Sequence, residues 1–247
     1  MVSSVDIKAL LQAGAHFGHK TSRWHPKMAP YIHSKRDGTH IIDLTKTVDA
    51  LETVLPFITK TVSEGKQILF VGTKRQSKDI VKAAALETGM PYVTERWLGG
   101  MLTNKKTIGE RIKHLKDLET RMATGALEAK YNKLEVQRFQ EEIEHMNIAY
   151  GGVKDLAERP GAVFVVDVIN EANALREAKK LGLKSIAIAD TNVDPTDITY
   201  VIPANDDAIK TVELIVGYIK EAVLEGKSKQ KSAKADDKTE LKAEGAK

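Results

Sequence analysis

The chain has 247 residues, of which 42% are hydrophobic, and it contains no cysteine. This length supports one large domain or two modest ones with a buried core, and the lack of cysteine excludes disulfides, thiolate zinc sites and a cysteine nucleophile. Lysine and arginine number 38 against 34 aspartates and glutamates, so the net charge of +4 permits an anionic partner without requiring one. With no visible signal peptide and no apolar run near the ~20 residues that span a bilayer, we expect a soluble chain.

The first element is a short helix, predicted over residues 5–12 with Ser4 as its N-cap. Residues 16–36, here called the basic strap, follow it and alternate cations with aromatic rings. Pro26 and Pro30 oppose a helix, so regular structure is not expected there. Cations neutralise phosphates and rings stack on bases, which predicts contact with nucleic acid; a metal site at His16 and His19 and an ordinary surface loop are the alternatives. The predicted RNA-binding residues of the strap are Lys20, Arg23, Trp24, His25, Lys27, Lys35 and Arg36.

Beyond the strap, apolar runs typical of buried strands alternate with amphipathic helices. Strands are predicted at 40–44, 67–71, 92–93, 162–166, 185–189 and 200–202, and helices at 45–64, 72–86, 171–181 and 206–224. Such alternation predicts βαβ units and a parallel sheet covered on both faces. Because βαβ connections are right-handed, the fold class is α/β with a doubly wound parallel sheet.

Residues 104–150 interrupt this alternation with two helical arms that break near Thr124. Apolar residues recur every three or four positions on each arm, which predicts an antiparallel coiled-coil hairpin inserted into the α/β domain. A pair of helices packed on its own sheet is the alternative. The predicted domains are 1–103 with 151–226, the hairpin at 104–150, and a charged, disordered tail at 227–247.

Two patterns at the predicted strand ends carry possible phosphate or metal chemistry. The first, at 72–76, contains Lys74 and Arg75 where α/β folds bind phosphate, yet it lacks the glycines of a nucleotide-binding loop. The second is a set of aspartates that either cap helices or gather at one sheet edge. His19, Asp190 and Asp206 are the candidate ligands of a non-catalytic divalent metal, while no cofactor is required. These patterns leave a metal-dependent phosphoryl-transfer or nucleotide-binding domain as the alternative function.

A second basic segment joins the predicted sheet to the helical insertion. Gly99 and Gly100 permit a close backbone approach, and cations flank them on both sides. A simple cap and hinge would explain the glycines but not the density of cations, so we expect RNA contacts here. For both tryptophans, base stacking and anchoring within the protein remain open. The candidate RNA-binding residues of this segment are Arg96, Trp97, Asn104, Lys105, Lys106, Arg111 and Lys113.

The motifs of the chain, taken in order, closely resemble the bacterial small-subunit ribosomal protein S-two family. They cover nearly everything except the tail, and R-W-L-G-G-M-L-T-N is the most specific of them. The others include A-G-A-H-F-G-H-K-T, R-W-H-P-K-M, G-T-H-I-I-D-L-T-K-T, F-V-G-T-K-R, Y-G-G-V-K-D-L, D-T-N-V-D-P and N-D-D-A-I. Lys105 departs from the family pattern, which commonly has an aromatic residue there.

The resemblance implies a Rossmann-like α/β domain with an inserted coiled coil and no catalytic activity. It further implies a structural role in the small ribosomal subunit of the cytoplasm, with binding to small-subunit ribosomal RNA near the junction of head and body. Neighbouring small-subunit proteins, including ribosomal protein S-one, are the implied protein partners. We expect neither a membrane contact nor a homo-oligomer.

Overall fold

A computed structural model of the protein describes residues 5–156 and 159–244, with side chains up to Ser232. The first helix, α1 (Ile7–Ala13), begins at Asp6, whose carboxylate accepts a hydrogen bond of 2.8 Å from the backbone N–H of Lys8. It ends at Gly14 with a left-handed φ of 82°. The predicted N-cap, Ser4, lies outside the described residues.

The basic strap is more regular than its sequence predicts. It contributes β1 (Phe17–Lys20) and β2 (Ile32–Arg36), which pair antiparallel with β3 (Thr39–Ile42) in the order β1-β3-β2. The prediction of irregular structure is wrong because both prolines lie in a 3₁₀ turn, Pro26–Tyr31, between the strands. Their missing N–H donors therefore cost no hydrogen bond of the sheet.

The larger sheet has five parallel strands in the order β5-β4-β6-β7-β8. The winding reverses between β4 and β6, as in doubly wound folds, and this switch point is where such sheets commonly bind ligands. The predicted α/β class with a parallel sheet is thus confirmed. Its strands are β4 (Ile68–Val71), β5 (Tyr92–Val93), β6 (Ala162–Val166), β7 (Lys184–Ala189) and β8 (Tyr200–Pro203).

Helices and loops cover both faces of this sheet, and alternate strand residues point into two separate cores. Phe70 and Phe164 meet edge to face, 5.5 Å apart, in the core under α2, α3 and α7. Leu69 and Val165 point into the other core, which packs against α6 and the loop that contains Trp97. The covering helices are α2 (Leu44–Ser63), α3 (Lys78–Thr88), α6 (Ala172–Lys180) and α7 (Ile209–Glu244).

Two further helices, α4 (Lys105–Ala123) and α5 (Lys133–Tyr150), lie between β5 and β6 in the chain. His114 Nε2 lies 3.2 Å from Glu142 Oε1, and Asn147 donates a bond of 2.9 Å to Glu119. From the first contact to the second, the residue number increases on both helices. In a regular antiparallel pair, the number would increase on one helix and decrease on the other. The helical insertion is present, and the antiparallel coiled-coil seam stays a prediction.

The last helix, α7 (Ile209–Glu244), is longer than predicted. The sequence predicts a helix that ends near Leu224 and a disordered tail over 227–247. Residues 227–244 contain no proline or glycine and many Ala, Lys and Glu residues, which favour a helix even without an apolar face. The helix therefore extends past its predicted end, the disorder of the tail stays a prediction, and residues 245–247 lie outside the described part. No helix in the described ranges is long and apolar enough to cross a membrane.

Candidate nucleic-acid interface

The basic strap is fastened to the turn that follows β7. The backbone N–H of His25 donates to Thr191 O at 2.8 Å, and that of His19 donates to Thr191 Oγ1 at 2.9 Å. Gly18 allows this approach, since a Cβ there would lie 2.7 Å from Thr191 Cγ2. The strap is thereby fixed over the carboxyl edge of the parallel sheet.

Most cations of the strap face solvent without an ion-pair partner. Lys20, Arg23 and Lys35 are exposed and make no salt bridge within the described part of the chain. Lys27 instead donates to Asp194 at 2.7 Å, and Arg36 Nε lies 3.8 Å from Asp37. Three predicted RNA-binding cations thus project from a fixed segment with their charge uncompensated.

The rings of the strap divide between anchoring and exposure. The Trp24 ring centroid lies 5.1 Å from that of His40, at an interplanar angle of 38°. His40 is buried, and neither of its ring nitrogens has a hydrogen-bond partner among the described residues. Trp24 keeps 38% of its surface exposed, so one part of the indole anchors the strap while another remains available for stacking. His25 is half-buried, and its Nδ1 accepts from the Lys27 N–H at 3.3 Å.

The crevice at the switch point is filled by the protein's own ion pairs. Lys74 Nζ lies 3.0 Å from Asp167 Oδ2, 2.9 Å from Asp206 Oδ1 and 2.8 Å from Asp207 Oδ1. Beside it, the Thr73 N–H donates to the buried Glu171 carboxylate at 2.8 Å. A phosphate would meet four carboxylates here. Lys74, one of the predicted RNA-binding residues, is thus paired with three carboxylates of the protein itself.

These contacts shift the pKa values of several groups in and beside the crevice. Burial, reinforced by the charge of Asp167, raises the pKa of Asp206 to about 7. Burial alone would lower the pKa of Lys74, but hydrogen bonds to Asp207 and Asp206 outweigh it and raise that pKa, so the ammonium stays charged. A hydrogen bond to Asp190 likewise raises the pKa of His19.

The candidate metal ligands do not converge on one point. His19 Nδ1 contacts Asp190 Oδ2 at 2.9 Å and His19 Nε2 lies 3.6 Å from Asp207, whereas Asp206 is paired with Lys74. Within residues 5–156 and 159–244, no group of three or more such side chains is arranged to hold a metal. The Lys74 ammonium takes the place that a cation would need beside Asp206, so the residues as arranged do not fit a divalent ion there.

The second basic segment is organised around one carboxylate. Residues 95–104, here called the tether loop, lead from β5 into α4, and Glu177 on α6 accepts five hydrogen bonds from them. The donors are Trp97 Nε1 (3.0 Å), Gly100 N (2.8 Å), Leu102 N (3.0 Å), Thr103 N (3.1 Å) and Thr103 Oγ1 (3.1 Å). Gly100 has a φ of 88°, which glycine tolerates best. Trp97 is only 7% exposed, so its indole is an internal anchor and is not available for stacking on a base.

The cations around the tether loop are exposed. None of them makes a salt bridge with a residue that the structure describes, and Asn104 precedes α4 without a side-chain cap bond. Because the loop follows the carboxyl end of β5, it lies on the same sheet edge as the strap. These cations are Arg96, Lys105, Lys106, Arg111 and Lys113, and Arg75, which follows β4, is likewise exposed.

The sequence analysis missed the two residues that hold these segments in place. Glu177 reads as an ordinary charged residue of an amphipathic helix, and it lies 74–80 positions from its partners in the chain. Thr191 reads as part of a turn. No spacing signal could have revealed either residue, because their roles depend on contacts between distant parts of the sequence.

A doubly wound domain with a filled crevice and exposed, unpaired cations outside it fits a binding protein better than a nucleotide-dependent enzyme. The sequence model of the family described as Ribosomal protein S2 matches residues 10–226. The small ribosomal subunit protein uS2 of Roseiflexus sp. (strain RS-1) is 47% identical over 232 residues, 94% of this chain and 88% of the relative. That of Roseiflexus castenholzii (strain DSM 13941 / HLO8) is 46% identical with the same coverage.

The chain therefore belongs to the ribosomal protein S2 family, as its motifs predict. This family is structural and non-enzymatic, in agreement with the predicted absence of catalysis.

Proposed function

We propose that this protein is a structural component of the small subunit of the cytoplasmic ribosome and binds small-subunit ribosomal RNA through the basic strap and the tether loop. The observation that carries the RNA contact is the set of exposed cations without acidic partners on two fixed segments at one sheet edge. The names of the relatives support the ribosomal role. Phosphates of RNA would supply the charge that these cations lack.

Three finer assignments belong to the same proposal. The RNA contact lies near the junction of the head and body of the subunit. The helical insertion, which exposes Leu134 and Ile148 on α5, forms a coiled-coil arm that contacts neighbouring small-subunit components. Ribosomal protein S-one is one of the proteins that the chain helps to recruit.

Salt dependence of RNA binding tests the proposal. We expect the affinity of the full chain for small-subunit ribosomal RNA to fall steeply with salt. A plot of the logarithm of the binding constant against the logarithm of the salt concentration has a slope that reflects the number of phosphate contacts. Lys20→Ala, Arg23→Ala and Lys35→Ala should each flatten this slope by about one, because each removes one phosphate contact. Filter binding over a salt series measures the slope.

Lys60→Ala is the matched control, since Lys60 is an exposed lysine on α2, away from both segments. It should leave the slope unchanged. Equal flattening by Lys60→Ala would show unspecific attraction and contradict the assigned surface. In cell lysates, the chain should sediment with small subunits at moderate salt and leave them at high salt. A free pool with none on subunits would overturn the ribosomal assignment.

Phosphoryl transfer or nucleotide binding, the alternative from the sequence, has no observation in its favour. The strand-end aspartates that suggested it neutralise Lys74.

A further inference from the structure

Glu177 satisfies an unusual number of donors for one side chain. Both carboxylate oxygens are used, Oε1 by Trp97 and Gly100, and Oε2 by Leu102 and Thr103. Hydrogen bonds to an ionised acceptor are stronger than neutral ones, so this carboxylate fixes the path of the tether loop. The loop is thereby bound to α6, an element 70 or more residues away in the chain.

The geometry places this fixed loop directly beside exposed cations. Arg96 precedes the anchored indole of Trp97, and Lys105 and Lys106 begin α4 immediately after the anchored residues. Asn104 supplies no side-chain cap to α4, and the residues that Glu177 binds end at Thr103, two positions before the helix begins. The position of these three cations therefore depends on Glu177.

We infer that Glu177 is a positioning residue for RNA binding: its carboxylate holds the tether loop so that Arg96, Lys105 and Lys106 meet the RNA backbone together. The inference rests on the proposed function. An acidic residue is unusual in a role that supports RNA binding, because a negative charge near an RNA site ordinarily weakens binding. Removal of Glu177 should thus weaken binding through lost positioning, although removal of its charge alone would strengthen it.

The test compares Glu177→Gln with Glu213→Gln in the full chain. Both substitutions remove one negative charge, but Glu213 is exposed on α7 and takes no part in the hydrogen bonds described for the tether loop. A glutamine at 177 would turn an amide NH₂ toward N–H donors and break part of the set. We expect Glu177→Gln to weaken binding of purified small-subunit ribosomal RNA about five- to tenfold, as for coupled neighbouring residues. Glu213→Gln should leave binding unchanged or slightly tighter.

The same substitution in a second variant of the chain distinguishes a loss of positioning from a general loss of structure. In a chain that carries Arg96→Ala, Lys105→Ala and Lys106→Ala, Glu177→Gln should change RNA affinity less than about twofold, because the cations it positions are gone. An equal loss in both backgrounds would overturn the inference, as would equal binding by Glu177→Gln and Glu213→Gln.

Trp97 offers a readout that is independent of RNA. In a chain with Trp24→Phe, Trp97 is the sole tryptophan, and Glu177→Gln should shift its emission to longer wavelength as the indole gains water. An unchanged spectrum would overturn the inference. If Glu177→Gln fails to fold, Thr103→Val removes a single donor of the set and should weaken RNA binding about twofold; unaltered binding by that variant counts against the inference.

The two proposals fail differently. If the unsubstituted chain shows no salt-dependent RNA binding, the proposed function falls and the inference falls with it. If the unsubstituted chain binds and Glu177 has no influence, only the inference falls.

Discussion

The switch-point crevice and the tether loop are each organised around one charged side chain with several partners, but the two central charges have opposite signs. In the crevice one cation, Lys74, is surrounded by Asp167, Asp206 and Asp207. At the tether loop one anion, Glu177 on α6, is surrounded by the N–H and O–H donors of the loop. The difference lies in what remains when the central charge is removed: three carboxylates that repel one another in the crevice, but neutral N–H and O–H donors that do not repel one another in the loop.

This comparison teaches how charge is divided in the molecule. Charges with several internal partners hold distant segments together, whereas Lys20, Arg23 and Lys35 of the strap have no ion-pair partner among the described residues and are left for an external partner. A charged residue therefore reveals its role through its neighbours rather than its type.

Lys74→Met should have the largest effect. It removes the cation and leaves Asp167 and Asp206 buried side by side, so the free energy of unfolding should fall by about 3 kcal/mol or more, as for a broken buried ion pair. Urea denaturation measures this. Arg75→Met is the control, since Arg75 is the exposed neighbour and has no salt bridge within the described residues. A loss below about 1 kcal/mol for Lys74→Met would show that the crevice is not held by its charges.

The tether loop should respond to acid. Burial raises the pKa of Glu177, but hydrogen bonds from Trp97, Gly100, Leu102 and Thr103 outweigh it and hold that pKa below the ordinary value of 4.5. The stabilisation is therefore complete above pH 4.5 and is lost as the pH falls through the lower value of the folded state. In a Trp24→Phe chain, Trp97 emission should shift to longer wavelength as this carboxylate is protonated.

The same chain with Glu177→Gln serves as the control for acid. Its emission should already be shifted at neutral pH and should show no step near the titration of Glu177. A step of equal size in both chains would mean that the spectrum follows general acid unfolding instead of the release of the loop.

Lys35→Ala should have the smallest effect on stability and a clear effect on binding. Lys35 is exposed on β2 without an ion-pair partner in the described ranges, so the free energy of unfolding should change by less than about 0.5 kcal/mol. The salt slope of RNA binding should still flatten. A large destabilisation without any change in RNA binding would show that Lys35 acts like the internally paired charges. It would contradict the distinction between those charges and the exposed cations of the strap.

Local patterns proved reliable where the local chain decides the outcome. The apolar runs at β4, β6 and β7 are buried strands because Val, Ile and Phe in sequence suit a sheet covered on both faces. The motifs placed the chain in its family, and the exposed cations of the strap and tether loop could be named in advance.

Two local predictions differ from the structure: the strap contains strands where irregular structure is predicted, and α7 is longer than predicted. The prolines of the strap predict irregular structure for the whole segment, whereas they restrict only the turn that contains them. The terminal segment has few apolar residues, which argues against a packed core but not against a helix.

What the sequence determined by itself is the buried strands of the parallel sheet, most of the helices and the family. What only the tertiary structure decided is which charges face inward. Lys20 and Lys74 look alike in the sequence, yet one projects from the strap and the other lies among three aspartates. Trp97 looked like a possible stacking ring until Glu177, on a helix far along the chain, proved to hold it. Contacts of this kind join residues that no local pattern relates, because they arise only when the strands bring their carboxyl ends to one edge.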